Sequence, residues 1–142
     1  NITVDTFNLS TGGNSLDLSK IKWGGTVNGG SGDDIVIVGS FPNQLYGNGG
    51  NDRLTGASFD DKLYGGAGDD ILAGAAGSDQ LFGGDGNDDL SGGLDDDLLD
   101  GGAGNDRIDG GAGPDILSYA SAAGGVTVNL AVTTASLPRS GR

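Results

Sequence analysis

Large aliphatic residues recur every nine positions through most of this chain. Leu9, Leu18, Val27, Val36, Leu45, Leu54, Leu63, Leu72, Leu81, Leu90, Leu99, Ile108, Leu117 and Val126 form the series, and Ala135 ends it. A helix does not hold a strict period of nine over this length with Gly in every repeat, because each interior Gly costs it about 1 kcal/mol. A solenoid does, if each nonapeptide is one strand and one turn. The pattern therefore predicts stacked coils.

The rest of the unit is legible between Gly29 and Ser118, in ten consecutive nonapeptides. They run from GGSGDDIVI at Gly29 through GGAGDDILA at Gly65 to GGAGPDILS at Gly110. Six residues read as a Gly-rich turn ending in Asp. Three read as a short strand whose central aliphatic points inward, as side-chain alternation requires.

Composition narrows the functions open to such a fold. The 142 residues include 31 Gly and 20 acidic residues, all Asp, against 7 Lys and Arg, a formal charge of −13. There is no Cys, His or Met. Disulfides, thiolate zinc sites and imidazole-assisted nucleophiles are excluded. The acidity disfavours nucleic acid and anionic membrane surfaces as partners. No apolar run reaches the roughly 18 residues of a membrane span. The chain opens on Asn1 without an initiator Met or leader and is read as a fragment or processed product. The polar tail Ser136–Arg142 is read as a truncation or a cloning scar.

The repeat G-G-x-G-x-D-x-U-x resembles the calcium-binding nonapeptide of RTX proteins, and ten tandem copies make the likeness specific. The segment Asp115–Ala131 resembles the stretch that often follows such arrays. The resemblance implies an all-β fold, a right-handed parallel β-roll with two nonapeptides per coil and calcium between stacked turns. It also implies a secreted bacterial protein exported by type I secretion.

Calcium takes about 6–8 oxygen ligands, more than one turn offers. By the resemblance, the earlier of two stacked turns gives the carbonyls of its second and fourth residues. The later turn gives those of its first and third. Each sixth-position Asp bridges the ions above and below. In one stack the Asp residues are Asp34, Asp52, Asp70, Asp88 and Asp106, and four sites are expected. The carbonyls there come from Gly30 and Gly32; Gly47, Asn48, Gly49 and Gly50; Gly65, Gly66, Ala67 and Gly68; Gly83, Gly84, Asp85 and Gly86; and Gly101 and Ala103. The other stack has Asn43, Asp61, Asp79, Asp97 and Asp115, and three sites are expected. Its carbonyls come from Ala57 and Phe59; Gly74, Ala75, Ala76 and Gly77; Gly92, Gly93, Leu94 and Asp95; and Gly110 and Ala112. Pro42 and Asn43 spoil its first turn, and the Asn43/Asp61 gap is expected to be weak or empty. Phe59 and Asp95 stand where the repeat has its fourth Gly, which raises the cost of a positive φ. About seven calcium ions would carry about +14, close to the chain's own −13. Asp33, Asp60, Asp69, Asp85, Asp89, Asp96 and Asp100 are expected to solvate the surface, although the Asp85 carbonyl belongs to the ligand set above.

Residues 1–28 keep the period but lack the Gly-Asp turns and are read as capping coils without calcium. Residues 119–142 are read as a capping strand, Val126–Leu130, and a tail. Outside the roll, Tyr46, Tyr64 and Phe82 fall 18 residues apart, one above another, followed by Asp100. They form either a ladder shielding the strands or a docking strip for a partner domain or a glycan. No regular Thr ladder suggests an ice-binding face.

The functional expectation is a non-catalytic calcium-binding module of a larger secreted protein, folding on calcium after export and stabilising or presenting an attached domain. The alternatives are the C-terminal module of a secreted hydrolase or polysaccharide-modifying enzyme, and an adhesin segment. A paired-Asp glycosidase site would compete with calcium for the same carboxylates.

Overall fold

The computed structural model describes residues 6–118 and 127–129, and it is all strand. The strands are β1 (Thr6–Asn8), β2 (Ser15–Asp17), β3 (Thr26–Gly30), β4 (Ile35–Ile37), β5 (Gln44–Gly49), β6 (Arg53–Thr55) and β7 (Lys62–Ala67). Then come β8 (Ile71–Ala76), β9 (Gln80–Asp85), β10 (Asp89–Leu94), β11 (Leu98–Ala103), β12 (Arg107–Ala112), β13 (Ile116–Ser118) and β14 (Thr127–Asn129). Odd-numbered strands form one seven-stranded parallel sheet and even-numbered strands the other, each in chain order. Such an alternation is a β-solenoid with two strands per coil. Among the described residues no helix is long and apolar enough to cross a membrane.

The core is one residue wide. Val27, Val36, Leu45, Leu54, Leu63, Leu72, Leu81, Leu90, Leu99 and Ile108 are fully buried between the two sheets. Each pairs with the aliphatic one coil away, as Leu63 does with Leu45 and Leu81. This is the expected nine-residue register.

Three features differ from the expectation. Most central strands are six residues long rather than three, because the first half of each turn also pairs. Gly66 sits in register with Gly84, and Ala67 with Asp85. The register also changes at the N-terminal end. Phe7 pairs with Val27 and Leu16 with Val36, a separation of 20. Phe7 and Leu16, not Leu9 and Leu18, therefore hold the strand centres. Two extra residues are taken up before Val27, where Trp23 folds inward, is buried, and meets Phe7 edge-on at 5.1 Å. Leu18 is still buried, and its N–H donates to the Ile37 carbonyl at 2.7 Å. The same lengthening recurs at the other end, where Val128 pairs with Ile108. Val126, Leu130, Ala135 and the rest of the tail lie outside the described residues, so only Thr127–Asn129 of the expected capping strand is seen.

Candidate metal centre

The sixth residue of each nonapeptide turns inward at the rim of the core. Asp34, Asn43, Asp52, Asp61, Asp70, Asp79, Asp88, Asp97 and Asp106 are all buried. Each uses one side-chain oxygen to tie the coils together. The backbone N–H of Asp34 donates to Asp52 Oδ1 at 2.7 Å, that of Asp52 to Asp70 at 2.7 Å, that of Asp70 to Asp88 at 2.8 Å, and that of Asp88 to Asp106 at 3.0 Å. The second column repeats this from Asn43 through Asp61, Asp79 and Asp97 to Asp115.

The other carboxylate oxygen tells the two kinds of turn apart. Oδ2 of Asp34, Asp52, Asp70, Asp79, Asp88, Asp97 and Asp106 is buried and accepts no hydrogen bond. Each lies against the first Gly of its own turn, where a Cβ would collide with it. Burying an ionised oxygen without a partner is strongly unfavourable. Seven in two columns require a cation or a proton.

Backbone carbonyls face the same gaps. The Cβ that Gly66, Gly84 and Gly102 lack would run into the second-position carbonyls of Asn48, Gly66 and Gly84 one coil earlier. Gly68, Gly86 and Gly104 stand likewise against the fourth-position carbonyls of Gly50, Gly68 and Gly86. The first-position carbonyls of Gly65, Gly83 and Gly101 point back at Gly47, Gly65 and Gly83. The third-position carbonyls of Ala67, Asp85 and Ala103 point back too, accepting from the N–H of Gly50, Gly68 and Gly86 at 3.0, 2.8 and 2.8 Å. At the start of this column the Gly47 carbonyl lies against Gly29 and the Gly32 carbonyl against Gly50. Among the described residues no three acidic side chains cluster as a metal site. An ion here must draw mainly on carbonyls, as a hard cation can.

The backbone explains this aim. Positive φ among the described residues occurs only at second and fourth positions of turns, from Gly30 to Gly113. Gly68, at φ 129°, could carry no side chain without striking the turn before it. Asn48, Ala75 and Asp95 adopt the same conformation at 76°, 91° and 77°, so these non-Gly residues keep their carbonyls in line.

The second column is less regular, as expected, and the irregularity includes the Gly56–Asp61 turn. Gly93 and Gly111 stand against the carbonyls of Ala75 and Gly93, and Gly113 against that of Asp95. The Gly92 and Gly110 carbonyls point back at Gly74 and Gly92, and Ala112 accepts from the Asp95 N–H at 2.9 Å. Leu94 contributes only backbone to this gap, its side chain being exposed. The Gly56–Asp61 turn has no positive φ at Ala57 or Phe59. Asp61 Oδ2 accepts from the Ala57 N–H at 3.1 Å, and the Ala57 carbonyl accepts from Ala76 N–H at 3.0 Å. Phe59 avoids the strained conformation rather than bearing it, and its ring stacks on Phe41 at 6.0 Å. That pairing carries no sequence signal beyond two Phe residues 18 apart.

A second side-chain ladder runs along the fifth positions. Asp33, Asn51, Asp69 and Asn87 each accept the N–H of the residue 18 further on, at 2.8 to 3.0 Å. Asp60 accepts from Ser78 at 3.0 Å. These residues are exposed but are not merely solvated, and the alternation of Asp and Asn there is the signal that marks them. On the outer face Tyr46, Tyr64 and Phe82 stack at 4.8 and 5.0 Å with nearly parallel planes. Their faces cover one another, so only edges point outward along the strip. That geometry shields strands and offers little ring face on which a sugar could stack.

Burial raises the carboxyls of Asp52, Asp61, Asp70, Asp79, Asp88 and Asp97. It pushes Asp70 and Asp79 up to about 7, and Asp88 and Asp97 to about 6, with neighbouring Asp charges adding to it and backbone N–H bonds opposing it. Stability from protonating these groups in the metal-free rod is complete below the unfolded value of about 4 and is lost as pH rises through 6 to 7. A cation must displace those protons. At one subsaturating calcium concentration, dialysis at pH 8 is expected to find clearly more ion bound than at pH 5.5. Equal binding at both would show that these carboxylates are not ligands.

The residues present fit calcium: unpaired buried carboxylate oxygens, carbonyls aimed into each gap, and no softer donor. The family model described as RTX calcium-binding nonapeptide repeat (4 copies) matches residues 26–45, 46–81 and 82–117. No curated protein matches the chain.

Proposed function

The chain belongs to the RTX calcium-binding nonapeptide repeat family, and from that premise we propose that calcium held between its turns winds it into a rod that serves a larger secreted protein. The observation that carries this is the pair of columns of buried Asp Oδ2 atoms without donors. In the first column, four ions lie between successive turns from Asp34 to Asp106. The second to fourth turns of this column use first- and third-position carbonyls toward one side and second- and fourth-position carbonyls toward the other. In the second column, ions lie in the Asp79/Asp97 and Asp97/Asp115 gaps. The Asp61/Asp79 gap is the weakest of the seven expected, because Ala57 N–H already occupies Asp61 Oδ2. The coil before Gly29 and the strand β14 act as caps, covering strand edges that would otherwise pair with other chains.

The role is structural rather than catalytic: calcium orders the module after export, and the module stabilises or presents whatever domain adjoins it. Extracellular calcium modules bind at about 10⁻⁴–10⁻³ M, so such a chain stays unwound at cytosolic calcium and winds outside. Equilibrium dialysis at millimolar calcium with metal analysis is expected to find about six to seven ions per chain. One or two ions per chain would overturn the two-column assignment.

A further inference from the structure

Each column of sixth-position side chains begins with an asparagine, and the two asparagines behave alike. Asn14 precedes Asp34 by 20 residues, at the top of the first column. Its Nδ2 donates to the Ser10 carbonyl at 3.1 Å, to the Gly12 carbonyl, and to Asp34 Oδ1 at 2.8 Å. Asn43 precedes Asp61 in the second column. Its Nδ2 donates to the Phe41 carbonyl at 2.5 Å and to Asp61 Oδ1 at 3.1 Å. All these partners are acceptors only, which fixes the nitrogen, not the oxygen, of each amide toward them.

The partners are also the right ones. Counted back from Asn14, Ser10 and Gly12 hold the second and fourth positions of that turn, and Asp34 is the sixth position of the next. Phe41 is the fourth position of the Asn43 turn, held at φ 90°. These are the atoms that an earlier turn and the following Asp would offer an ion. The Asn43 Oδ1 meanwhile accepts from the Gly25 N–H at 3.3 Å, so the coil-to-coil ladder continues through it.

We propose that Asn14 and Asn43 close the first gap of each column with an amide nitrogen in the place of calcium. The inference rests on the reading that calcium fills the later gaps. In those, two carboxylates face one space and a divalent charge answers them. In the first gaps there is one carboxylate, and the amide N–H groups reach the Oδ1 that it turns toward that gap together with a carbonyl. The N-terminal turns are thus held shut without metal, and each column of ions starts one turn further in.

Asn14→Asp and Asn43→Asp restore the second carboxylate and remove the donors. Each variant is expected to bind one more calcium than the parent by equilibrium dialysis. Asn51→Asp, at an exposed fifth position, is expected to leave the count unchanged. In the calcium-loaded parent, nuclear magnetic resonance is expected to show the side-chain NH2 protons of Asn14 and Asn43 exchanging roughly tenfold or more slowly than in an unstructured peptide. Unchanged ion counts in both variants, or amide protons exchanging at the peptide rate, would overturn the proposal. A parent chain that bound no calcium would instead refute the calcium reading itself, and the amide protection alone would then decide the placement.

Discussion

Asp70→Asn is expected to remove two calcium ions from the chain at once, whereas Asp69→Asn, one residue away, is expected to remove none. Asp70 is buried between the turns that carry Asp52 and Asp88, and its Oδ2 has no donor. It borders two gaps, so its charge counts in both. An amide there would keep the N–H bond from Asp52 through its oxygen. Its nitrogen, though, would carry two hydrogens into a gap still containing the Asp88 carboxylate, as Asn43 does toward Asp61. With calcium at ten times the site dissociation constant, each lost ion removes about 1.4 kcal/mol, so the variant is expected to lose about 3 kcal/mol. Asp69 is exposed, and it accepts the Asn87 N–H at 2.8 Å in a ladder where Asn51 and Asn87 already do the same work. Its replacement keeps that acceptor. Dialysis and calcium-dependent thermal unfolding of the two variants separate the positions. Equal loss in both would mean that overall charge matters and that location in the turn does not.

The two positions also show what was legible in the sequence. Strict recurrence of Leu, Ile or Val beside a Gly-rich turn ending in Asp can be met only by a coil with a narrow core, and β3 to β13 follow it residue for residue. The buried Asp column and the outer aromatic ladder follow from the same count of 18. The ends were not legible, for a specific reason. Phe7 and Leu16 are nine apart, as are Leu9 and Leu18, so two frames fit the same stretch. Only strand pairing, with 20 residues between Phe7 and Val27, selects the frame. The two-residue lengthening at Val128 is hidden in the same way, because Val126 also fits the period.

Within the turns, side-chain types indicate which oxygens exist but not whether they are free. Asp61 and Asp79 look equivalent in sequence. Yet the turn before Asp61 has no positive φ at Ala57 or Phe59, and the Ala57 N–H occupies Asp61 Oδ2. The fourth-position departures from Gly diverge too. Asp95 accepts φ 77° and keeps its turn aligned. Phe41 bears φ 90° likewise, whereas Phe59 stays out of that region and stacks on the Phe41 ring. The fifth-position ladder was missed because exposed Asp and Asn in turns usually need no structural explanation.

Calcium dependence of winding follows from how little else holds the rod. Outside the repeat that buries both Val38 and Leu45, no more than one aliphatic per nonapeptide of the Gly29–Ser118 array is buried, and among the described residues the sixth-position carboxylates stack 18 residues apart with no cationic side chain between them. Like charges so placed oppose the compact form, and binding energy then becomes folding energy. Far-ultraviolet circular dichroism of the chain at pH 7.5, first in EGTA and then through a titration into millimolar calcium, tests this most directly. The expected result is a largely unordered spectrum in EGTA that converts cooperatively to a β spectrum as calcium is added. The same β spectrum in EGTA as in calcium would contradict it.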